Sequence, residues 1–291
     1  MGRAVIKASV AGLLVLAGAA CSGGDVDPHT SHDATAQPDT QAKFTATDCA
    51  SNEPPPALGL MTSLPIYWNL GQGIEDFARG DGKLTWQRSA MEQCYSLVPL
   101  DTLSPMPGLG PDDPETDPLQ GLEQLAVIQP RGLSPLDNVA LDKWVRAGGH
   151  VLLVLDPMLT GQYEVALGDP RRPVDSALIP PVVKRWGLEI AFDDSQQLAL
   201  KEAAFDRGHV WLSMAGTIRR DGAAGAKCEL FVNDTIARCE VGEGRATIVA
   251  DAASFEHAPS EVENSQAKKP PLMTLLDFAL LTRQNMVNTA P

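Results

Sequence analysis

The stretch from Leu122 to Pro157 constrains the fold more than any other, because it reads as strand, helix and strand without a break. Leu125-Ala-Val-Ile128, within Glu123–Gln129, is short, apolar and β-branched enough for a buried strand, and Pro130-Arg-Gly132 turns the backbone out of it. A helix opens at Ser134-Pro135-Leu136-Asp137. Serine caps exposed N–H groups, proline in the first turn forfeits no hydrogen bond, and aspartate suits the positive end of the helix dipole. Leu136, Val139, Ala140, Trp144 and Ala147 recur at helical spacing and predict the buried face, with Asp142, Lys143 and Arg146 elsewhere. Gly148-Gly149 ends the helix, and Val151-Leu-Leu-Val-Leu155 follows as an unbroken apolar run, the pattern of a central parallel strand covered on both faces. The unit is a βαβ crossover.

Other segments can be placed around it. Ala57–Met61 predicts a first strand ending in Thr62-Ser63, with a helix over Trp68–Ala78. Gly71 and Gly73 fall inside that helix and lack a third glycine, so they form no dinucleotide loop. Tyr95–Leu100 predicts a second strand ending at Asp101, and Leu103–Pro118 a surface loop. Beyond Asp156-Pro157, an irregular stretch carries Asp169-Pro-Arg-Arg-Pro173, Ser176–Trp186 predicts a helix, and Leu188–Phe192 a strand. Leu198–Arg220 reads as short strands, Val210-Trp-Leu212 being the clearest, and Arg245–Ala250 as a buried strand ended by Asp251. Pro271–Leu281 places Leu272, Leu275, Leu276, Ala279 and Leu280 on one side of a helix docking on the sheet. The pattern predicts one α/β domain over 56–291, with room for a β-rich insertion at 193–240.

The N-terminus reads as an export signal over residues 1–20: basic Arg3 and Lys7, apolar Val10–Leu16, then the small residues Leu16-Ala-Gly-Ala-Ala-Cys21. Its apolar part is too short for an ordinary membrane span. Cys21, followed by Ser22-Gly-Gly-Asp25, resembles the acylated cysteine of a bacterial lipobox. Gly18 stands where leucine is usual, so cleavage after Ala17-Gly18-Ala19 is the second reading. The expected location is the periplasmic face of a membrane, lipid-anchored, or the periplasm if Cys21 is not acylated. Asp25 lies beyond the position associated with inner-membrane retention, which leaves inner and outer membrane open. Residues 21–55 form a polar tether without apolar periodicity, and His29 and His32 belong to it rather than to a metal site.

The formal net charge of −14 argues against a nucleic-acid partner, since phosphate binding needs a basic footprint. In an oxidising compartment Cys49, Cys94, Cys228 and Cys239 allow three pairings. Cys228 with Cys239 is favoured because the flanking segments bracket the turn Asn233-Asp234 as a hairpin would, leaving Cys49 with Cys94. No CxxC or HxxxH spacing supports zinc.

Open parallel sheets bind ligands beyond the carboxyl ends of their strands, which selects Thr62, Ser63, Asp101, Gln129, Asp156 and Asp251 as ligand-binding candidates. Asp156 and Asp251 would together hold a cation or sugar hydroxyls; capping loop N–H groups is the preferred alternative. Arg131, Arg171 and Arg172 would meet an anionic ligand or line a solvated loop. No G-x-C-x-G or G-x-S-x-G elbow occurs, and Ser63 is the one hydroxyl at a strand end considered as a nucleophile. His150 starts a strand, at the opposite edge. No catalytic residue, cofactor or metal is expected.

The runs Gln129-Pro130, Leu133-Ser134-Pro135, Ala140-Leu141-Asp142, Gly148-Gly149 and Val151-Leu152 through Asp156-Pro157 resemble the periplasmic auxiliary domain of uncharacterised ABC-type transport systems, including gliding-motility-associated transporter proteins. Gly242-Glu-Gly-Arg245 with Val249-Ala-Asp251 is similar to the end of that domain, so the likeness covers 57–251. The resemblance implies an open, mostly parallel flavodoxin-like sheet of class I glutamine amidotransferase type, with helices on both faces and a small β-hairpin extension. It implies a noncatalytic auxiliary or binding component of an ABC-type transport system. Its partners would be permease and ATPase subunits or other envelope proteins, and the membrane through the N-terminal lipid. Longer relatives carry a C-terminal transmembrane helix, which the lipid is expected to replace. Two further readings stand beside it: a hydrolase or transferase acting on an envelope sugar or amide, and a scaffold without ligand.

Overall fold

A computed structural model of the chain describes residues 54–70, 75, 79, 82–108, 110, 112–222, 225–259 and 269–281. The expected export signal, Cys21, His29 and His32 of the expected tether, Cys49, and most of the expected Trp68–Ala78 helix lie outside the described residues. The elements follow as β1 (Ala57–Thr62), α1 (Trp86–Met91), β2 (Ser96–Pro99), β3 (Gln124–Ile128), α2 (Pro135–Arg146), β4 (His150–Val154), α3 (Pro181–Arg185) and β5 (Leu188–Ala191). Then come β6 (Lys201–Phe205), β7 (Gly208–Leu212), β8 (Thr217–Arg220), β9 (Lys227–Phe231), β10 (Ile236–Val241), β11 (Gly244–Val249), α4 (Ala253–Glu256) and α5 (Pro271–Leu280).

Seven strands form one sheet in the order β2-β1-β3-β4-β11-β10-β9. The first five are mutually parallel, in the flavodoxin-like 2-1-3-4-5 order, and β10 and β9 extend the far edge antiparallel. The fold is therefore α/β with a mostly parallel sheet, as expected. The apolar runs are explained by burial on both faces. In β3, Leu125 and Val127 point to one core and Ala126 and Ile128 to the other; in β4, Val151 and Leu153 alternate with Leu152 and Val154 in the same way. One face is covered by α1, α4 and α5, the other by α2 and α3. Two small sheets, β5 with β8 and β6 with β7, lie outside the main one. Gly244 is required where β11 starts against the end of α2, since a Cβ there would sit 2.0 Å from the Val145 carbonyl oxygen. Cys228 and Cys239 face each other across β9 and β10 and are joined by a disulfide, with 4.0 Å between Cα atoms. Cys94 is also disulfide-bonded.

Three expectations need correction. On α2 the buried residues are Asp137, Leu141, Asp142 and Val145, whereas Leu136 and Val139 are 69% and 66% exposed. Apolar spacing alone placed the inward face wrongly, because the fold buries Asp142 beneath Trp186, whose indole N–H donates to it at 2.9 Å. The helix expected over Ser176–Trp186 is only α3, because Pro180 and Pro181 delay its start. Finally, α5 is buried nearly all round rather than on one side, since β6 and β7 cover its outer face and Phe205 packs edge-on against Phe278 at 4.5 Å. At its end, Arg238 and Arg245 from β10 and β11 donate to the carbonyls of Phe278, Ala279 and Leu281, neutralising the negative end of the helix dipole. His150 opens β4 at the amino edge of the sheet, its Nδ1 3.3 Å from the Leu280 carbonyl oxygen.

Candidate functional site

In this strand order the topological switch point lies between β1 and β3, and the crevice beyond their carboxyl ends is where a ligand would rest. The chain folds its own 170–177 segment over that place. The Ser63 hydroxyl donates to the Gln129 carbonyl at 2.5 Å and accepts from the Val174 N–H at 3.3 Å. Gln129, buried and held at φ 45°, donates through Nε2 to the carbonyls of Asp156 (3.0 Å) and Val174 (3.1 Å) while its Oε1 accepts from the Asp156 N–H at 2.8 Å. Thr62 Oγ1 accepts from the Leu64 N–H at 2.9 Å, fixing the turn out of β1. Arg131 donates to the carbonyls of Pro170 and Arg172 at 2.5 and 2.7 Å. Arg171 pairs with Asp169 and Arg172 with Asp175, so these arginines brace the loop.

The two strand-end aspartates are brought near each other and are both buried. Asp156 accepts from the N–H of Met158 through Oδ1 and of Ala252 through Oδ2, each at 2.7 Å. Asp251 accepts from Ala253 through Oδ1 and Ser213 through Oδ2, again at 2.7 Å. Each carboxylate thus caps the turn after its own strand with Oδ1 and ties that strand end to a neighbouring loop with Oδ2. Burial drives the Asp156 carboxyl up to about 7, against the pull of its two N–H donors and with the negative charge of Glu256 adding to it. Burial, then the charge of Asp156, raises Asp251 as well. Glu256 completes the clasp by accepting from the N–H groups of Thr160 (3.0 Å) and Gly161 (2.9 Å) and the Tyr163 hydroxyl (2.6 Å).

Asp101 is exposed and stands outside this arrangement. The carboxylate that matters next to it is Asp137, which closes a capping box with Ser134 and also accepts from Thr102, Leu103 and Ser104. Burial opposes ionisation of Asp137, but the hydrogen bonds from Ser134, Thr102 and Leu103 outweigh it and hold the carboxyl well below the usual range. Residue pattern had pointed to Asp137 as a helix-start residue; its grip on the 102–104 loop, like the roles of Ser213 and Glu256, has no local signal. Among the described residues no group of three or more His, Cys, Asp and Glu side chains is placed to hold a metal ion, and no helix is long and apolar enough to cross a membrane.

No family model matches the chain, and no curated protein does. Solved structures with partial likeness include the exo-β-1,4-mannosidase Op5Man5 from Opitutaceae bacterium strain TAV5, at 17% identity and a TM-score of 0.41, covering 78% of this chain and 36% of that one. The β-galactosidase from Rahnella sp. R3 matches at 13% identity and a TM-score of 0.39 over 77% of this chain and 31% of that one. The β-galactosidase from Bacillus circulans sp. alkalophilus matches at 11% identity and a TM-score of 0.39 over the same shares. The chain spans about a third of the length of these structures. Likeness of this degree transfers neither activity nor substrate.

Proposed function

We propose that the protein is a noncatalytic, lipid-tethered envelope protein that serves as an auxiliary or binding component of an ABC-type transport system. The observation that carries this reading is the closure of the switch-point crevice by the chain itself. Val174 bridges Ser63 and Gln129 where a substrate would lie, and both oxygens of Asp156 and of Asp251 already accept backbone N–H groups. General acid–base chemistry needs a carboxyl that reaches the substrate and a partner whose pKa is set apart from it; here both carboxyls are buried and both are raised. The signal-like N-terminus ending at Cys21 supplies the membrane attachment, and the resemblance of residues 57–251 to ABC-associated auxiliary domains supplies the partner class.

Fractionation tests the reading. The full chain should sediment with membranes and co-purify in mild detergent with an ABC-type permease, and Cys21→Ser should release it into the soluble fraction. Retention and processing unchanged by Cys21→Ser would refute the anchor. Turnover of an envelope glycan or amide that is abolished by Asp156→Asn with Asp251→Asn would refute the noncatalytic role.

A further inference from the structure

The side of the sheet carrying α2 and α3 holds an open groove of about 680 Å³ between the two helices. Leu133, Val139 and Val182 line its apolar part, and Asn138 makes it rigid by donating to the carbonyls of Leu133 and Ser134 while accepting from the Val182 N–H at 3.2 Å. Leu136 and Leu178 stand exposed nearby, Leu178 beside Gly132 at the entry to α2. Exposed apolar side chains clustered on one face are what a protein keeps for a partner rather than for its own core.

The rim identifies the partner's chemistry. Lys143, Arg146 and Arg185 surround the groove with Asp142 as the one carboxylate among its lining residues, and that carboxylate is already shared by both guanidiniums at 3.0 and 2.8 Å and by the Trp186 indole. Three cations against one engaged carboxylate leave a basic edge on a chain whose net charge is −14. A second acidic copy is repelled in the long-range field, whereas a carboxylate-bearing segment is drawn to this edge. The α2 helix of 12 residues offers a straight wall about 18 Å long, the length of a three-turn helix laid alongside it.

We infer that the α2–α3 groove docks an acidic amphipathic helix of a partner envelope protein, its leucine-type side chains entering between Val139 and Val182 and its carboxylates meeting Lys143, Arg146 and Arg185. The inference rests on the reading of the chain as a binding component and adds the surface and partner type to it.

The probe is a fluorescent synthetic helix with leucines at i, i+3, i+4 and i+7 flanked by glutamates, compared with the same peptide carrying lysine for every glutamate. Anisotropy titration against the full chain should give saturable binding of the acidic peptide, at least about tenfold tighter than the lysine peptide and weakened by salt. Lys143→Glu should weaken it by about tenfold, and Val139→Asp should abolish it. Both side chains are exposed, so circular dichroism and melting should match the parent. Equal affinity for the two peptides, no saturable binding, or binding untouched by Val139→Asp would overturn the inference, as would a solution dimer dissolved by Val139→Asp, which would give the groove to a second copy. Membrane release by Cys21→Ser is independent of these outcomes, so failure here is distinguishable from failure of the tethering reading.

Discussion

The carboxyl ends of the strands and the α2–α3 groove make opposite use of their side chains. At the strand ends, polar residues are buried: Ser63, Gln129, Asp156 and Asp251 are nearly inaccessible, and their donors and acceptors meet loops of the same chain. Along the groove, Leu136 and Val139 stand in solvent beside Lys143 and Arg185. A buried polar group is costly unless its hydrogen bonds are made within the fold, so the strand-end set reads as a clasp. Exposed apolar groups beside uncompensated charge have no such internal account, and their place in the molecule points outward.

The largest expected effect separates a clasp from a binding pocket. Asp156→Ala leaves the buried Ala252 N–H and the partly buried Met158 N–H without their acceptor and should cost about 2–6 kcal/mol at 1–3 kcal/mol per orphaned donor, measured by urea denaturation. A loss under about 0.5 kcal/mol would mean that the strand ends are a solvated site after all. Somewhat smaller is the contrast across α2 itself. Leu141→Ala, in the core, should cost about 2–5 kcal/mol, while Val139→Ala, on the groove, should stay within about 0.5 kcal/mol. Equal losses at the two positions would erase the distinction between the helix's two faces.

A further effect is in pH dependence. The raised carboxyls of Asp156 and Asp251 keep protons in the folded state that the unfolded chain releases from about pH 4 upward. Their contribution is therefore complete below that point and is lost as pH climbs, for Asp156 through about 7. Asp137 and Asp142 act in reverse. Burial opposes their ionisation, but Ser134 and Thr102 at the one, and Arg146, Trp186 and Arg185 at the other, hold both below the usual range; the stability they give is lost on acidification. Melting temperature should thus fall between pH 4 and 7, and Asp156→Asn should flatten that limb. A steady rise over the same interval would contradict the assignment.

Much of this fold is legible in the residues. Continuous apolar runs in 125–128 and 151–155 announce strands covered on both faces, and Ser134 with Pro135 and Asp137 announces the helix start. The Cys228–Cys239 bridge follows from two strands flanking a turn, because its partners are local. The wrong face of α2 and the closed strand ends share a physical cause: their deciding partners are remote in sequence. Trp186 buries Asp142 from 44 residues away, Ala252 reaches Asp156 across 96, and Val174 reaches Ser63 across 111. Periodicity and strand-end rules describe one element at a time. They selected Asp156 and Asp251 correctly as strand-end residues but carry no information about which loop their oxygens face.

The most direct measurement places a photoreactive residue on each region of the intact chain in the expressing cell. At Val139, in the groove, irradiation should yield an adduct with a transporter permease or another envelope protein, identified by mass. At Met158, which is partly exposed beside the Asp156 clasp, it should yield none. An adduct from Met158 with none from Val139 would contradict the account.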